Sequence, residues 1–440
     1  MWLNALYTIA LMLLSPVVAF RMFRHGRYRR GIRQKLLGLS ITDAQAITQG
    51  RPCMWIHAVS VGEVNLLPSI VAELQRHDPE TRVVISTSTD TGYDLAVQRF
   101  GTERVFFCPL DFTWATRRTL NHLSPKQLIL AELELWPNLI RIATDKGVPV
   151  SVINARLSAR SASRYQQFAK YLAPTFARLS WVGCQDETTR DRFETCGTVA
   201  DRLSVTGSLK YDNAPTTRDT ASVAKLASWS GVDPWHQIWI VGSTQSGEEA
   251  MAISIYQSLR VDHPELRLVI VPRHKERFDD VAALIQDDGL GVRRRSSGSS
   301  GSSSDLVSWT NDTVILVDTI GELRDWWGVG QIATVGGSFG DRGGQNMLEP
   351  AGYGSAVSFG PNTRNFRQIA GDLIDADAAV RVHDQNELEA FVRRCLDDIP
   401  AADALGRAAK AVVNKHRGAI DRTVDAIIGR QETQTNRRAA

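Results

Sequence analysis

Short apolar runs alternate with amphipathic stretches through most of the chain. Met54–Ala58, Arg82–Ser86, Arg104–Cys108, Gln127–Ala131, Val148–Ile153 and Trp181–Cys184 are rich in Val and Ile, which predicts strands. Between them, Val64–Gln75, Tyr93–Phe100 and Ser161–Leu179 carry helical spacing. Lys210–Asp219, with Asn213, Pro215 and paired threonines, reads as a linker, and then the pattern restarts. Further strands are predicted at Ile238–Gly242, Arg267–Val271, Val314–Val317, Gln331–Val335 and Ala356–Phe359, with a helical tail from Asp384 onward. Such alternation implies parallel sheets covered on both faces. The expectation is α/β: two Rossmann-like, doubly wound domains over residues 43–212 and 220–415, facing each other across a cleft, with a helix or tail over 416–440. Ligands of such sheets bind at the carboxyl ends of the strands.

The first 20 residues follow a different pattern. Met1 to Phe20 has no charged side chain, and a helix of that length reaches about 30 Å, one hydrocarbon core. Arg21, Arg24, Arg27, Arg29, Arg30, Arg33 and Lys35 then precede the first acid, Asp43. In a secretory signal the charge comes before the apolar run and a small-residue cleavage site follows it. Residues 1–20 are therefore predicted as a membrane anchor, spanning or lying in the interface, and 21–42 as a basic neck held to anionic headgroups. The excess of cations after the apolar run leaves the body of the protein on the cytoplasmic side.

At 440 residues the chain exceeds one ordinary core. Its net charge of +3 is set by the neck: without those seven cations, 44 basic residues face 48 acidic ones. That balance argues against general nucleic-acid binding, which needs a basic face. Five scattered cysteines with no C-x-x-C pair argue against a disulfide framework or a structural zinc, and for a reducing compartment. Arg293–Asp305, RRRSSGSSGSSSD, is low-complexity and predicts a mobile surface loop.

Candidate chemistry gathers at strand ends. Gly336–Pro361 reads GGSFGDRGGQNMLEPAGYGSAVSFGP, a strand end, glycines, and a helix start carrying Asn346 and Glu349. Glycines let backbone N–H groups approach a ligand, and a helix start offers donors to an anion, which suits a nucleotide. In the first half, Ser60 and Glu63 have capping-box spacing, yet a carboxylate at a strand end can also take a proton from a sugar hydroxyl. Glu132 and Glu134 follow the next buried strand, ahead of Trp136-Pro137. Asn154-Ala-Arg156-Leu-Ser158 and Gly207-Ser-Leu-Lys210 add polar groups to the same edge. In the second half, Gly242-Ser-Thr-Gln-Ser-Gly-Glu248-Glu249, Pro272-Arg273-His274-Lys275 and Ile320-Gly321-Glu322 sit at corresponding places. Cations beginning a helix oppose its dipole, which points to an anionic ligand near Arg273. The D-x-D pair Asp375–Asp377 follows an apparent helix and reads as surface.

These motifs, taken in order, resemble the 3-deoxy-D-manno-octulosonic acid (Kdo) transferases, glycosyltransferase family 30. The resemblance rests on the apolar anchor and neck, HAVSVGE, STDTGYDLA, ELELWPNL, NARLSARS, GSLKYD, GSTQSGEE, PRHKERF, DTIGEL and the glycine-rich block. It implies a GT-B fold and inverting, metal-independent transfer of Kdo from CMP-Kdo. The implied acceptor is the tetraacyl disaccharide bisphosphate lipid A precursor, at the cytoplasmic face of the inner membrane. By the same resemblance Glu63 is the general base, while Glu132 (Glu134 as second choice) and Lys210 stabilise the transition state. Pro272, Arg273, Ile320, Gly321, Glu322, Asn346, Met347, Leu348 and Glu349 bind CMP. The family pattern usually has histidine where Gln245, Gln345 and Asn362 stand; these amides donate hydrogen bonds without becoming cationic. The residues alone do not choose cytosine over uracil. A UDP-sugar GT-B transferase or epimerase, or a non-catalytic nucleotide-binding membrane protein, is the alternative.

Overall fold

The structure, a computed structural model, describes residues 2–25, 29–297 and 309–439. It divides into two compact units, residues 1–213 with 417–440, and residues 214–416. The first is built on a seven-stranded sheet of β1 (Cys53–His57), β2 (Arg82–Thr87), β3 (Val105–Phe107), β4 (Gln127–Ala131), β5 (Val150–Ala155), β6 (Trp181–Cys184) and β7 (Leu203–Val205). Its order is β3-β2-β1-β4-β5-β6-β7, and its pairings are parallel. Alternate residues of each strand feed opposite faces. Trp55, Val84, Leu128 and Val152 enter one core, and Met54, Ile56, Ile85 and Ile129 the other.

The second unit repeats the plan with β8 (Gln237–Thr244), β9 (Leu266–Pro272), β10 (Gly291–Arg294), β11 (Thr313–Leu316), β12 (Ile332–Val335), β13 (Ala356–Phe359) and β14 (Val380–Arg381). The order is β10-β11-β9-β8-β12-β13-β14, again with parallel pairings. In each sheet the winding reverses once near the middle, between β1 and β4 and between β8 and β12. Ligands of open parallel sheets bind at such reversals.

The C-terminal helix, Ala419–Ala439, belongs to the first unit. Asp212 accepts from the Gly418 and Ile420 N–H groups at 2.6 and 2.7 Å, capping it. Val424 and Ile427 then enter the core beside Ile70 and Leu74.

The expected anchor does form a helix, Trp2–His25. Among the described residues, however, no helix is long and apolar enough to cross a membrane. Asn4, Tyr7, Thr8 and Ser15 interrupt the apolar run, and two of them bond the first unit. Asn4 donates to Thr113 Oγ1 at 2.6 Å, and the Tyr7 hydroxyl to Asp111 Oδ2 at 3.0 Å. Leu6, Ile9, Met12, Leu13 and Phe20 remain exposed.

The loop expected from Arg293 is structured at its start. Arg293 and Arg294 lie in β10 and pair with β11, and Arg295–Ser297 form a 3-10 turn. Residues 298–305 lie outside the described residues.

Candidate active site

Glu63 follows β1 in the short helix Val61–Val64 and is only 7% exposed. One carboxylate oxygen accepts from the Val59 N–H at 2.6 Å, and the other from the Ser60 hydroxyl at 3.0 Å. The capping-box spacing is thus used on the glutamate side, while Ser60 makes no cap bond of its own. Burial pushes the Glu63 carboxyl up to about 7; the two hydrogen bonds oppose this, and the Glu134 and Glu132 charges add to it. A carboxyl titrating near neutrality is suited to accept a proton from a hydroxyl.

Glu132 and Glu134 follow β4, across the sheet reversal from β1. Glu132 has φ of 53°, in the left-handed region that non-glycine residues seldom occupy. Its N–H continues the ladder to the Ile153 carbonyl at 2.9 Å, which holds the turn. Burial, with the Glu132 charge adding to it, raises the half-buried Glu134, while Trp136 opposes the rise. Lys210, in the short helix Leu209–Asp212, is lowered by burial against the pull of Glu132, and Arg156 lowers it further. The structure therefore gathers Glu63, Glu132, Glu134 and Lys210 into one electrostatic cluster. His57 plays a different part: fully buried, it shares Nδ1 with Ser86, and burial drives its pKa down to about 4, so it stays neutral.

Asp111 supports this edge from outside the motifs. It accepts from the Asn138 and Leu139 N–H groups at 2.9 and 2.7 Å, capping the helix Pro137–Asp145 behind the Glu132–Glu134 turn. Its carboxyl is pushed up to about 6 by burial, against those bonds and the one from Tyr7. No local pattern in the sequence marks Asp111, because its partners come from Tyr7 and the 138–139 backbone.

In the second unit the glycine-rich block is folded around a carboxylate. Glu248, 6% exposed, accepts from the N–H groups of Gly337, Ser338 and Phe339 at 2.8, 3.2 and 3.2 Å, and from Gln245 N–H at 2.8 Å. A Cβ on Gly336 would sit 2.6 Å from Glu248 Oε2, so glycine is required there. The N–H groups of Gly337, Ser338 and Phe339 are thus already donated within the chain. Likewise Asn346 accepts from the Leu348 N–H and donates to Glu349 Oε1, at 3.2 and 3.1 Å.

Arg273, exposed after β9, and Arg324 both act on the charge of Glu349, which burial raises. The Gln245 amide nitrogen is buried without a hydrogen-bond partner among the described residues. Of the expected turn, Ile320 is 78% exposed and Gly321 takes a φ of 93°, whereas Glu322 is engaged by Arg295 through two 3.0 Å bonds. Pro272 ends β9 opposite Thr244, and Met347 and Leu348 are buried. Sequence reasoning missed Glu248 and Arg295. The first was read only as a helix start, and the second fell in a low-complexity tract.

Residues 29–213 match the family model described as 3-deoxy-D-manno-octulosonic-acid transferase. A 3-deoxy-D-manno-octulosonic acid transferase of Haemophilus influenzae is 34% identical over 435 residues, 97% of this chain and 98% of the relative. The chain belongs to the Kdo transferase family. The namesake of Bordetella pertussis is likewise 34% identical, over 96% of this chain and 98% of its own. A UDP-GlcNAc 2-epimerase from Neisseria meningitidis, 10% identical, superposes with a TM-score of 0.57 over 86% of this chain and 100% of its own. That likeness shows the α/β GT-B fold. As a Kdo transferase family member the chain is a glycosyltransferase, and the GSTQSGEE and glycine-rich motifs carry the Glu248 scaffold described above.

Proposed function

We propose that the protein moves Kdo from CMP-Kdo to the tetraacyl disaccharide bisphosphate lipid A precursor, with inversion at the anomeric carbon. Glu63 takes the proton of the acceptor's primary hydroxyl as that oxygen bonds to the anomeric carbon. The bond from that carbon to the phosphate oxygen breaks, and CMP departs with the electron pair. The transition state has oxocarbenium character, and Glu132 and Lys210 stabilise it electrostatically. Glu134 is the second choice for the carboxylate. Pro272, Arg273, Ile320–Glu322 and Asn346–Glu349 hold CMP, with Arg273 offsetting the departing phosphate charge, and in this reading no metal takes part.

The observation that carries the reading is Glu63: a buried carboxyl at the sheet reversal, raised to about 7, with two further carboxylates and a lysine acting on its surroundings. The exposed Leu6, Ile9, Met12 and Leu13 support work at a membrane surface, the cytoplasmic face of the inner membrane. Incubation of the full chain with CMP-Kdo and the tetraacyl precursor tests the proposal. CMP release and a glycolipid heavier by whole Kdo residues, seen by mass spectrometry, are expected. Turnover with a UDP-sugar and none with CMP-Kdo would overturn it.

A further inference from the structure

Asn154 lies in β5, where pairing with β6 shifts register between Val152 and Ala155. It is 1% exposed and takes φ of 52°, a conformation that Asn, Asp and Gly tolerate best. Three elements meet on it. Its carbonyl accepts from Gln185 Nε2 at 2.9 Å, its side-chain oxygen from the Leu209 N–H at 3.1 Å, and its amide nitrogen donates to Glu132 Oε1 at 3.5 Å. The Leu209 N–H can only donate, so the amide oxygen must face it. That fixes the amide's orientation and turns the nitrogen toward Glu132.

We infer that Asn154 is a positioning residue that aims Glu132 and keeps it in register with the helix carrying Lys210. The inference rests on the proposed role of Glu132. The groups acting around Glu132 are Glu63 after β1, Glu134 on its own turn, and Lys210 on the helix after β7, with Arg156 acting on Lys210 in turn. Among these groups the Asn154 amide donates to Glu132 without adding charge.

Asn154→Asp separates this role from a structural one. Aspartate tolerates the left-handed backbone and keeps an oxygen for the Leu209 N–H, yet it presents an acceptor where Glu132 met a donor. With the full chain, CMP-Kdo and the tetraacyl precursor, kcat should fall about tenfold across the pH profile. The KM for CMP-Kdo and the melting temperature should stay near wild type. Asn154→Gly, which keeps the backbone and removes both the donor to Glu132 and the acceptor of the Leu209 N–H, should lower kcat by less, and it decides the matter if the aspartate variant misfolds. Wild-type kcat in these variants, beside an inactive Glu132→Gln, would overturn the inference. A Glu132→Gln of wild-type activity would instead remove the reading of Glu132 on which it stands.

Discussion

The two sheet reversals treat their carboxylates in opposite ways. After β8 and along β11 every buried acid has a dedicated partner. Glu248 takes four backbone N–H groups. Glu249 takes Arg277 at 2.5 and 2.8 Å, together with the Thr244 hydroxyl. Asp318 takes Arg294 at 2.7 Å and Ser296, and the half-buried Glu322 takes Arg295. After β1 and β4, Glu63, Glu132 and Glu134 lie near one another, and no arginine bonds them among the described residues. Pairing makes a carboxylate part of the scaffold, whereas burial among its own kind leaves it ready to change protonation. Under the proposed function, the first unit's carboxylates serve proton chemistry, while the paired carboxylates of the second fix the shape of the edge that holds CMP.

The contrast can be broken most forcefully at Glu63. Glu63→Gln should lower kcat by roughly 10²–10⁴ while CMP still raises the melting temperature; turnover near wild type would remove the assigned base. The same kind of change in the second unit should cost stability. Arg277→Ala leaves Glu249, 1% exposed, without its cation, and should destabilise that unit by about 3 kcal/mol. Denaturant melts followed by tryptophan fluorescence would read this, and a loss under about 0.5 kcal/mol would show the pair to be dispensable.

A subtler effect distinguishes the two edges by sign. Because Glu63 is raised from 4.5 to about 7, the folded state holds its proton where the unfolded chain has released it. That contribution is fully present below pH 4.5 and is lost as pH rises toward 7. Glutamine keeps both local bonds, since the Ser60 hydroxyl can turn to accept. Glu63→Gln should therefore be more stable than wild type by about 3 kcal/mol at pH 8 and nearly equal to it near pH 4.5. Thermal melts at the two pH values check this, and an equal effect at both would sink the account.

The strands with continuous apolar runs were legible. Trp181–Cys184 and Ala356–Phe359 form with the bounds read from their residues, and Gln127–Ala131 does the same. The short outer strands β7, β10 and β14 were not, because an edge strand buries less and its sequence, as at Val380–Arg381, carries little apolar signal. The helix predicted over Ser161–Leu179 breaks at Phe168, and the one over Val64–Gln75 is two helices, Val61–Val64 and Leu67–His77. In the site, Glu63 was visible because its partners lie within four residues. Glu248 and Asn154 were marked as polar strand ends, but their roles were not legible, since each is defined by backbone groups distant in sequence: Gly337–Phe339 for one, Leu209 for the other. Side-chain chemistry can be read along a chain, but the backbone groups a residue satisfies emerge only with the topology.

The return of Ala419–Ala439 to the first unit has a consequence for synthesis. Ile70 and Leu74 wait for Val424 and Ile427, so one wall of the earlier-made half stays open to solvent until all of residues 214–416 have been translated. At ordinary elongation rates that interval lasts on the order of tens of seconds. A nascent chain stalled anywhere in the second half would therefore display a bare greasy face, an address for holding chaperones rather than a finished domain.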